Sequence, residues 1–431
     1  MELSRIISGE MYFYFDGAYC GMRQELTFDE DIDGNVLKEA LLKTQKVHPY
    51  LKWTIEEKGG EFFYKDTDTD TTLIEGNKDI VLGTDEFDGH LIGFLYYGNK
   101  LRMDLYHGLT DGVSSKRIME TLLYHYFSIK DGCEYKADNI LIKEADEKCG
   151  YFDEPYEKEI PPFTPNDTPF AAPPEDEIFR FSEHEEADAK SYVQCIRISD
   201  KDFMSFVKEN DSSPAAAFAV LMSQTIQKMY PDNKKQVKIN VPINLRSVLG
   251  VDYTFRNTTG DVAIYYDPDK LFKLDIKDQC KAMRTSLKEK MARDNLLSVA
   301  KSQVDFLGMS KGYKGYDAKY DMYSSIPLPP SDSIFISYIG KLNADSYDKH
   351  ITDFSLISGA RDGIVFNICD CGGDFVLTSM KKGSLKGFSD AFCEHLKTYG
   401  LDARVMPEKE IKLKYVALRE RLSLKGKRLY D

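Results

Sequence analysis

Seven of the chain's sixteen prolines fall between Pro155 and Pro174, in "EPYEKEIPPFTPNDTPFAAPPEDE". Proline fixes φ and lacks an N–H, so at this density neither a helix nor a central strand forms, and the stretch predicts an extended connection. It divides the 431 residues into two parts, each long enough to bury a core of its own. The expected organisation is an N-terminal unit over residues 1–150, a proline-rich connection over 151–178 and a C-terminal unit over 179–431. No internal repeat is visible.

Periodicity fills in the two parts. "GNVLKEALLKTQKV" places Val36, Leu37, Ala40, Leu41, Leu42 and Val47 on one broad helical face, and Pro49 marks its end. "YLKWTIEE" and "EFFYKD" alternate as a hairpin around Gly59 and Gly60, and "HLIGFLYYGNKLRMDLYH" as a second one around Gly98 and Asn99. A helix follows in "SSKRIMETLLYHYFSIKDG". Beyond the connection come a strand "SYVQCIRIS" and a helix "SPAAAFAVLMSQTIQKMY". Next are a strand leaving through Pro242 to a polar turn, a strand "TTGDVAIYYD" and one long helical region over residues 276–308. Two late strands, "SIFISYIG" and "GIVFNICDCGGDFVLTSM", precede a last helix, "LKGFSDAFCEHLKTYGL". Strands and helices mix without strict alternation, which predicts an α/β fold with large mixed sheets.

Composition excludes several functions. A net charge of −14 without long acidic blocks argues against nucleic-acid binding by phosphate neutralisation. No apolar stretch is long enough to span a bilayer, and the N-terminus lacks a signal-peptide pattern. The eight cysteines are scattered, and Cys369 and Cys371 lack zinc-ribbon or thioredoxin spacing, so a cytoplasmic protein with reduced thiols is expected. Basic residues dominate the C-terminal "EKEIKLKYVALRERLSLKGKRLYD", which reads as a solvated face or as a patch for an acidic partner.

Metal-like strings fall short. "DEDIDG" sets Asp29, Asp31, Asp33 and Gly34 as a calcium loop would, but Ala40 stands where the bidentate glutamate belongs. "DTDTD" at Asp66, Asp68 and Asp70 lacks both the turn glycine and that glutamate. Helix entry and a polar turn are the readings taken, and no metal is expected. Of seven histidines, His48 reads as a helix-end residue, and His125 and His395 as packing residues of apolar helices. His107 alone leaves a strand and enters a helix, in "DLYHGLTDGVSS" over residues 104–115. A neutral imidazole there can take a proton near neutral pH. Asp111 and Gly112 permit a sharp turn, with Ser114 or Ser115 as the helix cap. A buried Asp111 requires a cation from elsewhere in the chain. The plainer reading keeps Asp111 as a turn cap and His107 half exposed.

"HGLTDG" resembles the HxxxDG signature of the chloramphenicol acetyltransferase-like superfamily, which includes condensation domains, plant HxxxD acyltransferases and alcohol acetyltransferases. "LKEALLKTQKVHPYLKWTI", "VPINLRSVLG", "RNTTGDVAIYY" and "FISYIGKL" are similar to further segments of these proteins, so the likeness runs over most of the chain. The resemblance implies two acetyltransferase-like α/β subdomains in a V with a central tunnel. It implies a thioester donor, acyl-CoA or a carrier-borne phosphopantetheine, meeting an alcohol or amine acceptor, with no tightly bound cofactor. His107 matches the general base, Asp111 the loop-holding aspartate, and Gly112 the turn glycine, whose amide is a candidate oxyanion donor. Arg246 matches the arginine that pairs with Asp111, with Arg256 as the fallback; Thr258, Ser337 and Tyr106 are candidates for an oxyanion or tunnel role. Two departures stand out. Tyr106 occupies the first of the two histidine positions usual in condensation domains, and the plant "DFGWG" motif is absent, its nearest string being "DCGGDF". The implied function is a stand-alone acyltransferase. The alternatives are a condensation-type enzyme partnered by an acyl carrier protein, and a non-catalytic ligand-binding member of the fold.

Overall fold

The computed structural model describes residues 5–14, 21–144, 150–164, 172–186, 188, 190–326, 333–344 and 346–411. The basic stretch over residues 412–431 and part of the proline-rich connection, residues 165–171, lie outside them. Among the described residues no helix is long and apolar enough to cross a membrane.

Two larger sheets carry the fold. One has five strands in the spatial order Ile351–Ile357, Gly21–Phe28, Lys100–Tyr106, Ile92–Tyr97, Leu73–Glu75. The other runs Ala403–Val405, Ser191–Ser199, Asp374–Lys382, Ile364–Cys371, Ile334–Lys341, Val237–Asn244, Thr259–Tyr266, with Lys409–Ile411 also on Ser191–Ser199. Trp53–Lys58 and Glu61–Asp66 form a separate hairpin. Parallel pairing of Ile334–Lys341 with both of its neighbours sits beside antiparallel ladders, so the large sheet is mixed.

Sheet membership does not follow chain order. Ile351–Ile357, late in the sequence, pairs antiparallel with Gly21–Phe28 and supplies the first sheet's edge strand. The apolar cluster around the first sheet accordingly includes Phe354, Leu356, Cys369, Tyr316 and Tyr323 beside Leu26, Leu105 and Leu122. A second cluster unites strands of the larger sheet with helices Pro214–Met229, Ile276–Lys290 and Lys386–Lys397.

Local chemistry explains the boundaries, and several differ from the sequence expectation. Asp33 caps helix Gly34–Val47 by accepting from Asn35 and Val36 backbone N–H, which accounts for part of the calcium-like string. His48 ends that helix, buried between the Tyr151 hydroxyl at 2.7 Å and the Thr121 hydroxyl at 3.0 Å. The long helical region is two helices, Ile276–Lys290 and Arg293–Gly308, broken at Met291 and Ala292. "GIVFNICDCGGDFVLTSM", expected as one late strand, is a hairpin folding at Gly372 and Gly373. The strand Val237–Asn244 continues past Pro242, where pairing with Ile334–Lys341 has already stopped at Asn240. Helix Asp200–Glu209, helix Gly315–Ser324 and strand Ile351–Ile357 were not expected from the sequence, although Phe203, Phe206 and Val207 of the first share one helical face.

Candidate active site

The strand Lys100–Tyr106 runs to the end of the five-stranded sheet, where Tyr106 pairs with Gly21. A turn closed by Leu109 N–H donating to Tyr106 O at 3.1 Å carries the chain into helix Gly112–Asp131. His107 lies in that turn, and polar groups from distant segments fix it. The Tyr64 hydroxyl donates to Gly108 O at 2.8 Å, the Asn257 side-chain amide to His107 O at 3.1 Å, and the Thr110 hydroxyl to Phe255 O at 2.7 Å. Gly108 leaves room for the Tyr106 ring, which a Cβ would meet at 2.4 Å. Gly9 has φ +74°, and a Cβ there would stand 2.1 Å from Gly108 O. The backbone of residues 5–14 therefore rests directly on the turn.

His107 is half-buried, with Nδ1 3.1 Å from Thr110 O. Nδ1 faces the Thr110 carbonyl, an acceptor, at 3.1 Å and the Asn257 amide, a donor, at 3.3 Å; the shorter contact assigns the hydrogen to Nδ1, and Asn257 donates to His107 O. That tautomer leaves the Nε2 lone pair open. Burial pushes the imidazole below its ordinary pKa, against the opposing effects of its hydrogen bonds and of Asp111, so the ring is neutral near pH 7. The Tyr12 ring stacks on it, centroids 4.7 Å apart and planes 21° apart.

Asp111 is held by other partners. It is the N-cap of the helix, accepting from Ser114 N–H at 3.1 Å, which supersedes Ser114 and Ser115 as expected caps. Its other oxygen accepts from Thr258 N–H at 3.0 Å and pairs with Arg246 Nη1 at 2.8 Å. Arg246, 2% exposed, has its donors spread over Thr254 O, Asn244 Oδ1, Ser114 Oγ, Arg256 O and Asp111. Burial works to raise the Asp111 pKa, and Arg246 with the Thr258 and Ser114 bonds overrides it, holding the carboxyl below its ordinary value. Arg256 is engaged elsewhere: it pairs with buried Glu154 at 3.1 Å and lies over the Tyr64 ring. Glu154 in turn accepts from Ile7 N–H, Ser8 N–H and the Ser8 hydroxyl.

The remaining candidates are spread around the turn. Gly112 is the first helical residue, so its N–H has no intrahelical partner, and Ile339 of strand Ile334–Lys341 lies 3.2 Å from where a Cβ would be. Thr258 gives its N–H to Asp111, and its hydroxyl lies 3.4 Å from the same oxygen. Ser337 is half-buried opposite Asn367, two residues before Ile339. Tyr106 is buried, its ring stacked on Phe13. Tyr12, Asn257, Gly9 and Glu154 were not singled out by the sequence reading. Asn257 stands next to Thr258 inside "RNTTGD", which is a weak signal; the other three have none in the string. Among the described residues the one group positioned to hold a metal is Asp29, Glu30 and His350.

No protein-family model and no curated protein matches the sequence. Solved structures do. Polyketide synthase associated protein 5 from Mycobacterium tuberculosis is 16% identical, covers 91% of this chain and 97% of its own, and superposes with a TM-score of 0.59. TRI101 of F. sporotrichioides, solved with coenzyme A and T-2, is 12% identical over 94% of this chain and 99% of its own, with a TM-score of 0.58. The epimerization domain from the third module of tyrocidine synthetase B is 12% identical over 90% and 92%, with a TM-score of 0.52. At these identities the likeness establishes architecture over nearly the whole length of both chains. The chain shares the mixed α/β fold of these structures, an acyltransferase-type and condensation-type architecture, over nearly its whole length.

Proposed function

We propose that the protein is an acyltransferase that moves an acyl group from a pantetheine thioester, acyl-CoA, to an alcohol or amine. The observation carrying this reading is the 3.1 Å contact of His107 Nδ1 with Thr110 O, which assigns the hydrogen to Nδ1 and leaves Nε2 of the neutral ring as the base. The acceptor's O–H or N–H gives its proton to Nε2 as its heteroatom bonds to the thioester carbonyl carbon. The carbonyl oxygen becomes an oxyanion, for which the Gly112 N–H at the helix start is the donor. Collapse breaks the C–S bond, and the thiolate leaves with the proton from Nε2. Asp111, Arg246 and Thr258 act by holding the turn and touch no substrate in this scheme. The same reading keeps Ser337 and Tyr106 as candidates for the walls of a tunnel in which donor and acceptor would meet.

Coenzyme A and T-2 bound to TRI101, together with the trichothecene 15-O-acetyltransferase of Fusarium sporotrichioides among the similar structures, favour a CoA donor and a hydroxyl acceptor. The tyrocidine synthetase domain supports a second reading, a condensation-type enzyme taking carrier-bound donors. Cysteines among the described residues are free thiols, in keeping with the cytoplasm as the place of action. The test is a thiol-release screen of acyl-CoA and acyl-carrier donors against pooled alcohols and amines. Acceptor-dependent thiol from acyl-CoA is expected. Release from carrier donors alone would replace the first reading by the second. No release from either, with ligand binding retained, would assign a binding role instead.

A further inference from the structure

Residues 5–14 form a segment with two buried anchors, and its middle lies on the His107 turn. One anchor is Glu154, 6% exposed, which accepts from Ile7 and Ser8 and pairs with Arg256. The other is Glu10, 4% exposed, which pairs with buried Lys319 of helix Gly315–Ser324 and accepts from the Ser310 hydroxyl at 3.2 Å. The Tyr316 hydroxyl adds a bond to Phe13 O at 2.8 Å. Between these anchors Gly9 touches Gly108, Phe13 stacks on Tyr106 at 5.5 Å, and Tyr12 stacks on His107 at 4.7 Å. Two carboxylates buried and paired for ten residues of chain make this a held position rather than a chance contact.

From this placement we infer that Tyr12 is a positioning residue for His107: its ring face fixes the imidazole plane and stabilises the imidazolium that forms when the acceptor's proton is taken. The inference rests on the reading of His107 as general base. The bond to Thr110 O fixes one edge of the ring, and tilt about that edge is opposed by whatever lies against the ring's face. Tyr12 lies there, 21° from parallel. An aromatic face attracts a cation through its quadrupole, more so where water is excluded. The neutral imidazole gains less, so the contact strengthens as the proton transfers, which is the condition for an effect on turnover rather than on binding. The segment is supplied from outside the HxxxDG turn and held by the connection and by a helix of the C-terminal half, so the base is complete only when all three are in place.

The test compares Tyr12→Phe, Tyr12→Leu and pentafluorophenylalanine at position 12, with His107→Ala as control. Readouts are steady-state thiol release and the His107 pKa from imidazole NMR. Phenylalanine keeps the ring face and is expected to stay within about 2-fold of wild type. Leucine is expected to lower kcat roughly 3- to 30-fold with KM little changed, and to lower the His107 pKa. Pentafluorophenylalanine fills the same space with the face potential reversed and is expected to follow leucine, which keeps the test decisive if the leucine variant does not fold. Fluorinated and plain phenylalanine giving equal kcat and equal His107 pKa would overturn the inference while leaving His107 as base. Unchanged thiol release in His107→Ala would overturn the general-base reading itself.

Discussion

The bond from His107 Nδ1–H to the Thr110 carbonyl decides both where the ring points and which nitrogen accepts a proton. Burial holds the imidazole below its ordinary value, so the neutral form, which the proposed mechanism requires, persists to lower pH than a free histidine allows. The expected kcat/KM profile is flat around neutrality and falls only below the ordinary histidine pKa of about 6.5. A midpoint at or above 6.5 would contradict a desolvated base. Asp111 offers a second residue-scale test. Removing it leaves the Arg246 charge buried without its carboxylate, so Asp111→Ala is expected to destabilise by about 3–5 kcal/mol in denaturant unfolding. A loss under about 1 kcal/mol would mean that the backbone carbonyls alone satisfy Arg246. The need for a cation beside Asp111 is legible in the sequence, since an unpaired buried carboxylate is too costly to keep. Which arginine meets it is settled by chain path. Arg256 stands two residues from Thr258 and still turns to Glu154.

At the scale of elements, the strand–turn–helix unit bearing His107 was readable because its hairpin, glycine and apolar periodicity all lie within one short stretch. What presses on it from outside was not. Gly9 looks like any glycine of an N-terminal string, and only in three dimensions does its missing side chain let two backbones meet. Gly9→Ala adds a Cβ 2.1 Å from Gly108 O at a φ of +74°, so either the segment or the turn must move. Turnover is expected to fall by up to about 100-fold, the usual consequence of displacing a catalytic group by about 1 Å. Circular dichroism should remain that of the wild type. Full activity in a folded Gly9→Ala protein would show that the turn does not depend on this contact. The strand Ile351–Ile357 is hard to read in the sequence for a different reason. Ile351, Phe354, Leu356 and Ile357 are apolar, but the adjacent polar Thr352 and Asp353 break the strict alternation that marks a strand.

For the whole molecule, the proline-rich connection marks a division of the chain that the sheets do not respect. Ile351–Ile357 covers the edge of Gly21–Phe28, and Tyr316, Tyr323 and Phe255 pack into the same core. Residues 1–150 expressed alone therefore expose a strand edge and apolar surface, and are expected to aggregate, while co-expression with residues 151–431 should recover a soluble pair. A monomeric, cooperatively folding 1–150 fragment would contradict this. The α/β class and most elements were legible in the sequence because periodicity is local, and the exchanged strand was not, because sheet order is a property of the assembled chain. The proposed chemistry depends on that assembly, since Asn257, Arg246 and Thr258 reach the turn at His107 from across it. Acceptor-dependent thiol release by wild type and His107→Ala under identical conditions is the most direct measurement. A base at His107 predicts a fall of about 10²–10⁴-fold in kcat with the fold intact, and equal rates would contradict it.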